Sequence, residues 1–312
     1  MGSISLLQLT SYISFAIFVL VVLAKARKWA SMPIHVRWEV YPVPKEKGKL
    51  EYGGSYYEEV DWWKKPRETT LIGELKEMFS EMLFLKRVFT YKRRLWFLTY
   101  PFHGGIYLIL IWFALLFIGA LTELFGLPIT TDCQPYNHPW SMLIYYLTII
   151  VGGLGIIATT IGCIGLILIR LNDRAMRNYS SPLDYFNLLF ILAVLLTGMY
   201  AWQFDPKFIT AREFMASLIS FGSIPMPDLN TPILIHMILL ELLFIYIPFT
   251  KMTHFIGKYF TFHKVLWDDE PNLRGSEIEK KVKEVLNYRV SWSAPHIKPG
   301  KTWAEEATEV EL

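Results

Sequence analysis

Pro232-Ile-Leu-Ile-His236-Met-Ile-Leu-Leu-Glu241-Leu-Leu-Phe-Ile-Tyr-Ile-Pro-Phe249 decides the class of this chain. A surface helix of a soluble domain carries one apolar stripe and a polar opposite face. This run is apolar all round, with one histidine and one acid inside it. At ~1.5 Å per residue it spans roughly 27 Å, close to the ~30 Å hydrocarbon core of a bilayer. It reads as a membrane span. Towards the N-terminus stand four more blocks of the same kind: Ile4–Ala24, Phe102–Leu121, Trp140–Ile169 and Tyr185–Trp202. The Trp140–Ile169 block exceeds what a bilayer needs and is expected to tilt or protrude. The expected fold class is an all-α integral membrane protein: a five-transmembrane-helix bundle with a cytoplasmic loop and tail and interfacial amphipathic helices.

The net charge of +3 says little, but its distribution gives an orientation. Of 31 Lys and Arg, only Lys207 and Arg212 fall outside three segments, namely residues 25–94, the turn holding Arg170, Arg174 and Arg177, and the tail from Lys251. The positive-inside rule then puts the N-terminus outside and the C-terminus in the cytoplasm of a prokaryotic cell, as a multi-pass protein. Four regions follow. Residues 1–28 are the first span. Residues 29–95 are a cytoplasmic loop rich in Pro, Gly, Tyr and Trp, ending in an amphipathic helix over 71–89. Residues 96–258 are a four-helix core, and 259–312 a cytoplasmic docking tail with one charged helix over Glu277–Leu286. A short interfacial helix is expected within 208–221. No basic residue precedes the first block, while Lys25, Arg27 and Lys28 follow it, so it reads as a retained anchor, not a cleaved signal peptide. The opening Met1-Gly2-Ser3-Ile4-Ser5-Leu6 lacks the hydroxyl residue that myristoylation needs at the sixth position.

The two cysteines, Cys133 and Cys163, cannot hold an iron–sulfur cluster, which takes four ligands. One lies in an outer loop and the other in mid-span, too far apart for a disulfide; Cys163 reads as a small packing residue. Of seven histidines, His35, His263 and His296 belong to cytoplasmic segments, and His103, His138, His236 and His254 stand at the spans. A histidine in a membrane helix is costly unless partnered. His236 and His254 are eighteen residues, five whole turns, apart, so a continuous helix presents both rings on one face, one near each surface. The topology puts His103 beside His254 at the inner face and His138 beside His236 at the outer. Neutral imidazoles paired across an apolar bundle suit haem iron. The reading is one or two b-type haems, held by His103 with His254 and by His236 with His138. The alternative for each ring is an interhelical hydrogen bond. Gly104, Gly105, Gly152, Gly153 and Gly155 admit either a flat macrocycle or a neighbouring helix. Glu241 is either a proton relay or a helix–helix contact. Arg170, Arg174 and Arg177 either pair with haem propionates or only fix the topology.

Leu98-Thr-Tyr-Pro-Phe-His103-Gly-Gly-Ile-Tyr-Leu, together with two histidines eighteen apart at the last span, resembles the gamma subunit of respiratory nitrate reductase, a five-helix dihaem b-type cytochrome. The resemblance implies that His103 and His254 hold the inner haem. The family's outer haem takes a second histidine ten residues after the first; that position is Phe113 here, and His236 matches the remaining ligand. Arg37-Trp-Glu-Val-Tyr-Pro, Tyr52-Gly-Gly-Ser-Tyr-Tyr-Glu-Glu, Asp61-Trp-Trp-Lys-Lys-Pro-Arg and Trp292-Ser-Ala-Pro-His-Ile are similar to the Dsr- and Tmc-type cytochrome b subunits of sulfate-reducer complexes, relatives of membrane-bound heterodisulfide reductase. That similarity implies a cytoplasmic iron–sulfur partner, a periplasmic cytochrome c partner and menaquinone as substrate. The expected function is electron transfer between quinone and the iron–sulfur subunit, with the terminal reaction on another chain and no nucleic acid involved. A transporter would show inverted repeats and broken spans. A haem-free anchor would explain the loops but not the histidine register.

Overall fold

The structure is a computed structural model describing residues 4–31, 47, 59–66, 68–130, 138–261, 274–295 and 297–309. Its helices, in chain order, are α1 (Leu6–Ser31), α2 (Leu71–Phe84), α3 (Lys86–Tyr91), α4 (Arg93–Leu124), α5 (Pro139–Asn172), α6 (Arg174–Asn178), α7 (Pro182–Trp202), α8 (Ile209–Ile219), α9 (Thr231–Tyr246), α10 (His254–Thr261), α11 (Glu277–Leu286) and α12 (Trp303–Thr308). Five are long and apolar enough to cross a membrane: α1, α4, α5, α7 and the segment Thr231–Phe249. No strand forms among the described residues, only two isolated bridges. His35, His263, His296, Cys133 and most of the aromatic loop 32–67 lie outside the described residues.

The chain divides into two units, residues 1–20 with 80–250, and residues 21–79 with 251–312. The first unit is organised on α4 and α5. Their backbones touch: a Cβ on Gly162 would fall 2.3 Å from the Phe102 amide nitrogen, and one on Gly105 would fall 2.5 Å from the Thr159 nitrogen. In lipid, where apolar side chains gain little by leaving the solvent, such small-residue contacts hold helices together. Around them pack Phe102, Cys163, Leu166, Leu188 and Leu195. Cys163 is fully buried, its thiol 3.3 Å from the Leu188 carbonyl, as a packing residue should be.

The spans start where the sequence provides caps. Asn230 Oδ1 accepts from the Ile233 amide, and Ser181 forms a capping box with Asp184. Both helices carry proline in their first turn, where its missing N–H costs nothing.

α1 is apolar except for one face, and the first unit answers that face. Gln8 Nε2 donates to Ser217 Oγ (3.2 Å), Ser11 Oγ to Glu241 Oε1 (2.5 Å) and the Tyr12 hydroxyl to the Leu218 carbonyl (2.7 Å). Gln8 is only 1% exposed.

Three sequence expectations change. The helix over 71–89 is two helices, parted at Leu85, which adopts a left-handed φ of 51°. The short helix within 208–221 is present as α8, but it packs among the spans: Arg212, Phe214, Ala216 and Ser217 are buried. Arg212 Nε reaches Glu123 Oε1 at 2.8 Å and its Nη2 the Ile129 carbonyl at 3.0 Å. The third change matters most. No continuous helix joins His236 to His254. α9 ends at Tyr246, a 3-10 turn covers Ile247–Phe249, Thr250 is extended, a second turn covers Lys251–Thr253, and α10 begins at His254. Pro248 has no N–H to donate, and its ring excludes the carbonyl one turn back. The five-turn argument for a common face therefore fails.

In the second unit, Lys25 Nζ meets Thr253 Oγ1 at 3.3 Å, and Trp29 packs edge-on against Phe260. The charged helix expected over Glu277–Leu286 is α11. Residues 288–303 fold back through Val290 N–Lys301 O (2.8 Å) and Trp303 N–Tyr288 O (3.1 Å), and Trp292 lies against Trp303.

Candidate functional site

Each membrane histidine reveals its proton by what Nδ1 touches. His103, on α4, places Nδ1 2.9 Å from the Thr99 carbonyl. A carbonyl only accepts, so in the neutral ring Nδ1 carries the hydrogen and Nε2 the lone pair. His254, at the start of α10, does the same with the Lys251 carbonyl at 3.2 Å. His236, on α9, has Nδ1 3.3 Å from Thr197 Oγ1. The Thr197 hydroxyl points its own hydrogen at the Ala193 and Val194 carbonyls (2.9 and 3.0 Å), so its oxygen accepts from His236. Three of the four rings therefore share the tautomer in which Nε2 is the basic atom.

His138 has the opposite one. It is the N-cap of α5, and its Nδ1 accepts from the Trp140 amide at 3.2 Å. The proton then sits on Nε2, so ligating iron through that atom requires the cap to be given up. Its side chain is exposed, whereas His103 and His236 are partly buried.

His236 lines a chamber of about 200 Å³ bounded by α4, α5, α7, α8 and α9. Its walls are aromatic: Trp112, Phe113, Trp202, Phe208 and Phe214. Trp202 and Phe208 stack 5.9 Å apart at 5°, and Trp112 meets Phe208 edge-on at 5.0 Å. Two glycines make the walls possible. A Cβ on Gly198 would sit 2.9 Å from His236 Cε1 and 3.3 Å from its Nε2, so the imidazole lies against α7. A Cβ on Gly152 would sit 2.7 Å from Trp112 Nε1. That indole nitrogen is buried and has no hydrogen-bond partner among the described residues, a state that costs about 1–3 kcal/mol until an acceptor arrives. Asp205 also lines the chamber, but its two carboxylate oxygens are taken by the Ile209 and Ala211 amides at 2.8 and 2.9 Å.

The structure thus brings together His236, Phe113 and the 208–214 segment. It does not bring Glu241 to them: Glu241 is bonded to Ser11, while its neighbour Leu240 lines the chamber. Trp112 and Thr197 escaped the sequence reading, because neither is unusual in a membrane helix. Only three-dimensional neighbours identify one as an unpaired donor and the other as the anchor of an imidazole. Arg170 spends one nitrogen on the Leu166 carbonyl at 3.2 Å.

No three His, Cys, Asp or Glu side chains converge among the described residues. A porphyrin brings its own four nitrogens and asks the protein only for axial ligands. The donor chemistry of His103 and His254 suits that role: each ring is oriented through Nδ1–H, the usual outer-sphere support of a ligating imidazole. The outer pair does not suit it equally. Phe113 is part of the chamber wall and offers no ligand atom, and His138 holds its proton on the wrong nitrogen.

Residues 88–265 match the model of the nitrate reductase gamma subunit family. The match takes in the last four spans and all four of these histidines, and leaves out the first span and the tail beyond residue 265. No curated protein matches the chain.

Proposed function

The chain belongs to the nitrate reductase gamma subunit family, multi-pass membrane b-type cytochromes that act as electron-transfer subunits, and we propose that it carries electrons between menaquinone and an iron–sulfur subunit at the cytoplasmic face. The observation that carries this reading is the shared tautomer of His103 and His254. Haem b, when bound, supplies a one-electron carrier. The protein's part is to hold it: the Thr99 and Lys251 carbonyls orient the two rings and raise the basicity of each Nε2. His103 and His254 would hold the group through Nε2, and ligation by both would suit one-electron transfer. Phe102, buried and edge-on to the His103 ring, keeps water from that side of it.

The Dsr- and Tmc-type resemblance supports the choice of partners. By that resemblance the docking segments for a cytoplasmic iron–sulfur protein of the heterodisulfide-reductase kind are residues 32–67 and the tail, where Trp292 lies against Trp303. A periplasmic cytochrome c subunit is a further partner on the same resemblance. Glu241, the one acid in the last span, is a proton relay, with Ser11 as its contact on α1. A second haem on His236 and His138 is the less favoured arrangement, because it breaks the α5 cap.

The test is the dithionite-reduced spectrum of the purified chain and of two variants. Sharp b-type bands are expected in the wild type, with their loss in His103→Ala and in His254→Ala. A featureless wild-type spectrum would reduce the chain to a haem-free anchor. Full haem content in both variants would refute the inner pair.

A further inference from the structure

An α-helix leaves its last four carbonyls unpaired, and where water is scarce another element has to satisfy them. At the end of α2 two of them are met by side chains of α4. The Trp96 indole N–H donates to the Phe84 carbonyl at 2.8 Å, and the Tyr107 hydroxyl to the Met82 carbonyl at 2.6 Å. We propose that these bonds hold the elbow of residues 80–91 as a wall of the inner haem pocket, with Trp96 and Tyr107 as positioning residues that keep water from the His103 side of the haem. This rests on the haem reading above and goes beyond it, because it gives a part to a segment that supplies no ligand.

Trp96, Tyr100, His103 and Tyr107 follow one another at spacings of four, three and four residues, and fall on one stripe of α4 within roughly 60°. The two bonds bracket His103, one from seven residues before it and the other from four after, so the end of α2 runs along the part of α4 that carries the ring. Aromatic rings fill the stripe: Trp96 stacks on Tyr100 at 4.5 Å and 13°, and Phe89 of α3 meets Trp96 edge-on at 5.1 Å. The elbow is built to keep its shape. Leu85 takes its left-handed φ at the corner, a conformation that costs a non-glycine residue about 1–3 kcal/mol and persists where neighbours impose it. Glu81, 4% exposed, accepts from the Arg87 amide at 2.9 Å and so caps α3 from six residues back. Phe102 covers the flank of the His103 ring towards α5, where it meets Gly162; the elbow borders the stripe itself. Its two carbonyls are already hydrogen-bonded, so they bring little field of their own. The elbow acts by excluding water. Solvent exposure is one of the levers on a haem's potential, and water favours the more highly charged, oxidised iron.

The experiment uses the purified full-length chain in detergent. It follows haem per polypeptide, the midpoint potential, the rate of haem reduction by dithionite, and tryptic cleavage after Lys86 and Arg87. Trp96→Phe and Tyr107→Phe keep an aromatic ring and remove the donor. Trp140→Phe is the control, since it removes an indole bond of the same kind, to Thr122 Oγ1 at 3.2 Å, at the other end of α4. The first two, and more so the double variant, should keep the haem and its b-type bands. Cleavage and dithionite reduction should run about three- to tenfold faster, and the midpoint potential should fall. Trp140→Phe should match the wild type throughout; an equal shift there would overturn the proposal. Faster cleavage with wild-type potential and reduction rate would overturn it too, because the bonds would hold the elbow without the elbow walling the haem. So would a double variant that overlays the wild type while His103→Ala still loses its haem; that outcome leaves the haem reading standing. A double variant without haem, with both single variants at the wild-type potential, would mark the bonds as merely structural and sink the proposal. A wild-type chain without haem would remove the haem reading and this proposal together.

Discussion

His138 and His236 differ by the position of one proton, and that difference separates their roles. Both were legible in the sequence as histidines at the outer level. Their tautomers were not, because each is set by a neighbour: the Trp140 amide for one, the Thr197 hydroxyl on another helix for the other. The N-cap role of His138 makes a prediction. His138→Asn, which caps equally well, should leave haem content and thermal stability unchanged. His138→Ala should keep the haem and lose about 1 kcal/mol in a detergent melt. Loss of haem in the Asn variant would return His138 to the ligands. Arg212 shows the same limit of sequence reading. It counted as one of two cations in an outer loop, yet it is 2% exposed and paired with Glu123. A charge pattern records the number of cations in a loop and nothing about which of them turns inward.

At the scale of elements, the five spans were legible because blocks of twenty apolar residues have few uses in water. Their ends were less so: the block Phe102–Leu121 lies within a helix from Arg93 to Leu124, since nothing stops a helix where the hydrocarbon ends. The break at Pro248 is visible in the sequence as a proline, but the two 3-10 turns around the extended Thr250 needed coordinates. The separate tasks of the α5 glycines needed coordinates. Gly162 faces the backbone of Phe102, which cannot yield, whereas Gly165 faces only the end of the Leu98 side chain, at 2.7 Å. Gly162→Ala should therefore cost about 1–3 kcal/mol or more, and Gly165→Ala clearly less. Melting temperatures in detergent measure both. Equal losses would show that the α4–α5 contact is looser than described.

For the whole molecule, the family match spans 88–265, which holds the last four of the five spans. The charge asymmetry predicts that an alkaline phosphatase fused after Leu312 stays inactive and one placed before Ser5 is active. The reverse pattern would invert the face assigned to the proposed iron–sulfur partner. The polar face of α1 has a consequence for biogenesis. Ser11 is translated 230 residues before the carboxylate it binds. At ~5–20 residues per second, roughly 10–45 s pass between the two. For that interval α1 carries the Ser11 hydroxyl without its carboxylate, so an insertase must shelter it at the lateral gate, or it must wait in the headgroup layer until α9 arrives.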